Sequence, residues 1–387
     1  MRRLSRCVFH ASCLWLLIAT TAQAQNTEQL LRTIQQVGRE GRGNVEAQTA
    51  MRQLTRADGR VLPEILRAFD EANPLAANWM RGAFETIAER ELHAGRTLPT
   101  AGMERYVRNR KHNPRARRLA YEWLLKVDKT AADRLIPGML DDPSPEFRRD
   151  AVGRLIKQAK SLNLKSDRRR MISLYRQALT GAVDKDQVQA IVRPLKRLGV
   201  TVDLQKHFGF LTRWHLIGPF DNRGGIGFAA VYPPEKELSF TAVYKGQLGK
   251  VRWMPATTKN DYGIFDIAKS IKPYKGAVMY AVTNFVATKS QPAQLRLGTP
   301  NAWKLWVNGK LLFAREEYHR GMKLDQYQVR VNLKPGRNVI LLKICQNEQT
   351  QSWAQRYQFQ LRVCDFGGRA ILPQTALSAT PSIQHIR

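Results

Sequence analysis

The sequence predicts a multidomain chain of two fold classes, an N-terminal α-solenoid followed by an all-β C-terminal sandwich of jelly-roll type. Three observations predict it. Residues 26–205 read as helices joined by short Pro, Asn and Asp turns, with hardly a β-branched run. Within them, three segments align at spacings of 37 and 31 residues. Beyond 208 the chain changes to short runs rich in Val, Tyr, Phe and Trp, separated by turn signals. At 387 residues there is length enough for two cores.

In chain order, Met1-Arg2-Arg3-Leu4-Ser5-Arg6 supplies a basic start, Cys13 to Ala19 an apolar stretch, and Ala22-Gln23-Ala24 a small-x-small cleavage motif. This pattern predicts a signal peptide over 1–24, cleaved near Ala24, and so an exported protein, periplasmic or extracellular. The apolar stretch is too short to cross a bilayer, and no later segment is apolar enough, so no membrane span is expected in the mature chain. Neither Cys7 nor Cys13 follows the apolar stretch as a lipid-anchored cysteine would.

Arg81-Gly82-Ala83-Phe84-Glu85-Thr86-Ile87 aligns with Arg118-Leu119-Ala120-Tyr121-Glu122-Trp123-Leu124 and with Arg149-Asp150-Ala151-Val152-Gly153-Arg154-Leu155. The recurring Ala83, Ala120 and Ala151 let helices approach closely while Phe84, Tyr121 and Val152 fill the interface. Asn113-Pro114 and Ser144-Pro145 lead into two of these helices, and Leu62-Pro63 and Ile136-Pro137 open shorter ones; a first-turn proline loses no hydrogen bond. Asp141 to Ala151 resembles a HEAT repeat, and the resemblance extends over roughly 44–160. It implies stacked helix pairs with a surface for a protein partner. Helices expected at 168–178 and 187–198 lack the turn signature and read as a cap or adaptor. The boundary falls near Val200 to Leu204, giving a helical domain over 26–205, a sandwich over 208–368 and a tail over 369–387.

Strands are expected at 211–220, 238–244, 251–254, 277–287, 294–297, 303–307, 310–313, 327–333, 338–346 and 356–365, with no intervening helix. Gly224-Gly225-Ile226-Gly227 reads as a rim loop that opens no helix and so offers no phosphate cradle. Asn308-Gly309, between two apolar runs, best suits the two positive φ angles of a type I′ hairpin. A two-residue turn sets Leu305 against Leu312, Trp306 against Leu311 and Lys304 against Phe313, leaving both faces apolar. Either another segment or a partner is then expected to cover the outer face of Trp306, Leu311 and Phe313.

Val307-Asn308-Gly309-Lys310, followed by Leu333-Lys334-Pro335-Gly336-Arg337-Asn338-Val339-Ile340, resembles the turn pattern of the galactose-binding-like jelly roll, as in the sugar-binding domain of glycoside hydrolase family 2. Together with Trp214 to Asn222, the whole chain resembles exported bacterial proteins that join HEAT-like repeats to such a module. The matched residues form turns and strands, so the resemblance implies architecture and transfers no ligand or catalytic role.

The net charge is +31. Residues 26–207 carry 35 basic and 22 acidic side chains, and residues 208–387 carry 25 and 10, so the surplus is spread over both halves. Such a field attracts polyanions, for an exported protein acidic polysaccharide, phosphorylated envelope lipid or released nucleic acid with no specific sequence, and it equally fits a general bias of exported proteins toward basic composition. Arg108, Arg110, Lys111, Arg115, Arg117 and Arg118 form the densest basic run, either a solvated face or a ridge for an anion or partner. Beyond the signal only Cys345 and Cys364 remain, on strand faces opposite the apolar alternation. If their strands pair, a disulfide becomes feasible, although strict cross-strand geometry favours two unpaired thiols.

The seven histidines are scattered with no second ligand at metal spacing, and no Walker loop, dinucleotide fingerprint or nucleophile elbow occurs. No metal, cofactor or catalytic residue is therefore expected. Asp221, Glu235 and Glu237 come nearest to a carboxylate cluster, with nothing in sequence to raise a pKa. Sugar binding uses exposed aromatic faces beside a few polar groups. Trp306, by its strand face, and Trp353, in the polar stretch Asn347 to Gln355, are the better placed tryptophans; Trp214, Asp221 and Asn222 complete the candidates. The expected function is a non-catalytic exported binding or scaffold protein, with helical repeats for a protein partner and the jelly roll for carbohydrate or domain docking. The alternatives are a polysaccharide-degrading enzyme with an unmarked site and a nonspecific polyanion binder.

Overall fold

The computed structural model describes residues 26–374 and 384–385. The expected signal peptide over 1–24 lies outside them. The chain divides into two compact units at Ala182/Val183, with helices in the first and antiparallel sheets in the second. Among the described residues no helix is long and apolar enough to cross a membrane.

In the first unit α1 spans 26–35. It is followed by α2 (Asn44–Leu54), α3 (Leu62–Ala68), α4 (Pro74–His93), α5 (Thr100–Arg108), α6 (Pro114–Val127), α7 (Ala131–Leu135), α8 (Pro145–Lys160) and α9 (Arg168–Gly181). The three aligned segments fall in α4, α6 and α8, and their Ala-aromatic or Ala-Val pairs are all buried. The Asn-Pro turns owe their form to two jobs done by one side chain. Asn73 Oδ1 accepts from the amides of Leu75 and Ala76, capping α4, while its Nδ2 donates to Val37 O at 2.7 Å. Asn113 repeats this, capping α6 and donating to Phe69 O at 3.2 Å. Before α8 the tie is ionic instead: the buried Arg117 guanidinium meets both oxygens of buried Asp142 at 2.9 and 2.7 Å, and Asp142 also accepts from Ser144 N. At Gly181 any Cβ would sit 2.7 Å from Leu140 O, so only glycine permits that approach.

The second unit opens with α10 (Lys185–Arg197) and α11 (Leu204–Phe208), earlier than the change in composition suggests. Contacts made by α10 explain the difference, because Gln189 Nε2 donates to Tyr262 Oη at 3.1 Å and Lys185 lies over the same ring. There follow β1 (Arg213–Asp221), α12 (Ile226–Ala229), α13 (Pro233–Lys236), β2 (Glu237–Leu238), β3 (Tyr244–Gly246), β4 (Gly249–Val251), β5 (Met254–Thr257), β6 (Phe265–Asp266) and α14 (Ile267–Ser270). The long strands come next: β7 (Ala277–Ala287), β8 (Gln291–Gly298), β9 (Ala302–Val307), β10 (Lys310–Arg315), β11 (Tyr327–Leu333), β12 (Gly336–Gln346) and β13 (Gln358–Cys364), with β14 (Gln384–His385) last. Three short helices thus stand where none is expected, and the glycine run does open one of them, α12, through Gly224 and Gly225 at φ 65° and 77°.

One sheet has the order β10-β9-β12-β7-β1-β5 and the other β11-β8-β13-β6. Their facing sides share one apolar cluster that includes Trp214, Phe285, Trp303, Ile340, Leu342, Ile344, Phe359, Leu361 and Val363. The six-stranded sheet is apolar on its outer side too. There Ile217, Phe220, Tyr280, Trp306, Leu341 and Cys345 pack beneath Phe228, Tyr232, Leu238, Phe240, Val251 and Trp253, which the chain supplies between β1 and β5. The doubly apolar hairpin is therefore covered by its own unit. Its turn is as expected, with Asn308 at φ 51° and Gly309 at 82°. A register shift between Leu311 and Phe313 changes the pairing: Phe313 opposes Leu305 and stacks on Trp303 at 4.9 Å, facing the shared core, and Leu311 stays exposed. Asn308 accepts from Val339 N and donates through Nδ2 to Asn338 Oδ1 at 3.1 Å, so the two turns of the Val-Asn-Gly and Pro-Gly-x-Asn motifs clip each other.

The condition for a disulfide is not met, and the cysteines are the two unpaired thiols that strict geometry favours. Cys345 lies in β12 of one sheet and Cys364 in β13 of the other, so their strands never pair and both thiols are free and buried. Burial pushes the Cys345 thiol up to about 12.

Candidate functional site

At one rim of the second unit, the end of β1, the chain after β10 and the chain after β12 come together. Asn222, the first residue past β1, is fully buried and donates to Gln346 O at 3.0 Å and to Tyr318 Oη at 3.2 Å. Burial raises the Tyr318 phenol to about 12, so it stays neutral. The next residue, His319, takes a left-handed conformation at φ 58° and donates from Nε2 to Asn347 Oδ1 at 2.8 Å. Its ring meets Trp353 edge to face at 5.1 Å, and Trp353 is 58% exposed. The loop carrying Trp353 is anchored below by Gln346 Nε2 and Lys275 Nζ, both donating to Ala354 O. Glu348 accepts from Gly224 N at 2.8 Å, which joins this loop to the glycine run. Asp221 holds the Arg223 guanidinium at 2.9 and 2.7 Å, and that contact lowers its carboxyl to about 2. The rim thus offers one aromatic face, an imidazole, amide groups and a fixed ion pair, a set suited to hydroxyl-rich ligands.

Three of the five ligand-binding candidates, Trp353, Asp221 and Asn222, meet at this rim. The other two do not. Trp306 is buried under the covering segment, and Trp214 is buried between the sheets with its indole N–H donating to Leu211 O. Asn222 itself serves beneath the surface rather than on it. Sequence reasoning missed Tyr318, His319 and Asn347, whose only signal was their place in polar segments flanking strands.

Glu235 is not a rim carboxylate. It is buried on the outer face of the six-stranded sheet, accepting from Lys343 Nζ at 2.8 Å and from the Tyr280 hydroxyl. Lys343 has no exposed side chain and also donates to Ala230 O at 2.6 Å and Phe228 O at 3.2 Å. Burial dominates there, lowering the Lys343 pKa and raising that of Tyr280. With both its oxygens on Arg223 and its carboxyl held low, Asp221 lacks the environment of a proton donor near neutral pH.

The basic run of the helical unit is mostly engaged in holding that unit together. Arg117 is buried on Asp142; Arg110 pairs with Asp141, Arg118 with Glu122 and Asp150, and Arg108 with Glu104. Lys111 and Arg115 alone of the six keep side chains without a hydrogen bond or ion pair among the described residues. No group of three or more metal-ligating side chains occurs among those residues.

No family model matches the chain, and no curated protein does. Among solved structures, an anti-sigma factor domain-containing protein from Clostridium clariflavum aligns over 45% of this chain and 48% of its own, at 12% identity and a TM-score of 0.27. The PA14 domain of the MpAFP antifreeze protein aligns over 44% of this chain and 95% of its own, at 9% identity and a TM-score of 0.24. A beta-glucosidase from Kluyveromyces marxianus aligns over 77% of this chain and 38% of its own, at 10% identity and a TM-score of 0.27. The chain thus spans about half the length of the first of these proteins.

Proposed function

We propose that this chain is a non-catalytic exported binding protein, in which a HEAT-like solenoid engages a protein partner and a galactose-binding-like jelly roll holds carbohydrate at the Trp353 rim. The observation that carries the carbohydrate reading is Trp353 itself. A large aromatic left 58% exposed, edge-packed on a histidine that Asn347 orients, presents a held ring face on which a sugar can stack beside polar groups. The asparagine caps that cross-tie α4 and α6, and the Arg117–Asp142 tie before α8, support the solenoid. The fixed ion pairs of Asp221 and Glu235 support the absence of catalysis over a hydrolase or lyase.

A glycan array probed with the full chain tests the proposal. Binding is expected, and Trp353→Ala should weaken it at least tenfold, about 1.4 kcal/mol, with the melting temperature unchanged. A blank across neutral and acidic glycans overturns the carbohydrate reading, and glycan turnover lost in Asp221→Asn overturns the non-catalytic one.

A further inference from the structure

We propose that the helical unit binds a small oxyanion, a carboxylate or a phosphate, in a pocket between α3 and α5 where Arg67 and Arg105 are the ligands. The pocket is an open one of about 300 Å³, room enough for an acid group. Its shape comes from a close helix approach: a Cβ at Gly102 would stand 3.1 Å from Pro63 Cγ, so nothing larger than glycine closes that end without a shift. Tyr106, buried, forms one wall with His112 stacked on it at 4.1 Å and nearly parallel.

Every other polar group around this pocket is already committed. Tyr106 Oη donates to Leu66 O at 2.6 Å. His112 Nδ1 meets Asp70 Oδ2 at 2.6 Å, and Asn109 Nδ2 meets His112 Nε2 at 3.1 Å. Asp70 Oδ1 accepts from Asn113 N at 2.7 Å, so both oxygens of the nearby acid are occupied. Arg67 and Arg105 differ. Both line the pocket, and neither guanidinium has a hydrogen bond or ion pair among the described residues. Six other arginines of the unit, Arg90, Arg96, Arg110, Arg117, Arg118 and Arg134, hold carboxylates. Two guanidinium groups from separate helices, open to one polar pocket, present the planar donor forks that carboxylate and phosphate oxygens accept.

The proposal is independent of the Trp353 rim, which lies in the other unit. Calorimetric titration of the full chain at low ionic strength, with inorganic phosphate in one arm and glucuronate in the other, tests it. Saturable one-site binding is expected in at least one arm, and the arm that binds names the source of the oxyanion. Arg67→Gln and Arg105→Gln should each weaken it at least tenfold, and Arg105→Lys should weaken it less. Arg52→Gln, an exposed arginine outside the pocket, should leave it unchanged. Circular dichroism and melting of the variants confirm folding, since both pocket arginines are exposed. No saturation in either arm overturns the proposal, and so does an equal loss in Arg52→Gln, which would assign the effect to the general positive field.

Discussion

Lys343 sits in the middle of β12 between Leu342 and Ile344 with no exposed side chain, a placement that costs several kcal/mol unless its charge is met. Glu235 and two carbonyls from the covering segment meet it, so the pair ties residues 228–235 to the sheet. Removing one partner strands the other: Lys343→Met should lower the unfolding free energy by about 3–5 kcal/mol in urea titrations, and adding Glu235→Gln should return part of the loss. Trp306→Ala should cost a comparable ~3–5 kcal/mol by opening a core cavity, in contrast to the surface Trp353→Ala. Glu91, in the helical unit, gives a pH signature. Hydrogen bonds from Arg96 and Arg90 lower its carboxyl from 4.5 to about 2, so the ionised form favours the folded state. Its contribution is full above pH 4.5 and is lost as pH falls toward 2, so Glu91→Gln should flatten the fall in stability within that window.

Among the elements, the Asn-Pro turn matters because one side chain both starts a helix and reaches back to the segment closing a helix well before it, Asn73 to Val37 and Asn113 to Phe69. Asn113→Ala should cost about 1–2 kcal/mol by thermal denaturation, while Ser144→Ala, where no side-chain cap exists, should cost less. The long helices and the strand at 327–333 were legible because burial imposes periods of 3.6 and 2 on them, and the strands at 277–287 and 338–346, buried on both faces, because they are long apolar runs bounded by turn signals. The 238–244 strand was not. Leu238 and Phe240 there are apolar in order to cover the outer sheet face, and short apolar runs read the same whether they ladder or lid. The shift at Leu312 left no mark in the sequence either, and it moved Phe313 to the opposite face. Half of the rim was legible, since Trp353 and Asn222 stand in segments too polar for a core. Tyr318 and His319 were not, because what makes them rim residues is the return of loops far apart in sequence.

For the whole molecule, a positive surplus spread over both halves, 13 in residues 26–207 and 15 in residues 208–387, attracts any polyanion, and that attraction must be separated from recognition. Affinity for heparin and for DNA should fall steeply between low and physiological salt, whereas glycan binding at Trp353 should change little over the same range. Equal salt dependence would assign all binding to charge. The molecule also carries a clock for chemical ageing. Asn-Gly is the dipeptide most prone to deamidation, because the glycine amide is free to attack the asparagine side chain. Asn308 is held at both ends of its amide, by Val339 N and by Asn338 Oδ1, so cyclisation must first break the clip between the two turns. Mass spectrometry of aged samples should find Asn308 intact in folded protein and converted in unfolded protein. Once converted, a carboxylate would face the Asn338 oxygen, and the turn that began as a local hairpin signal would become the site where an old molecule starts to loosen.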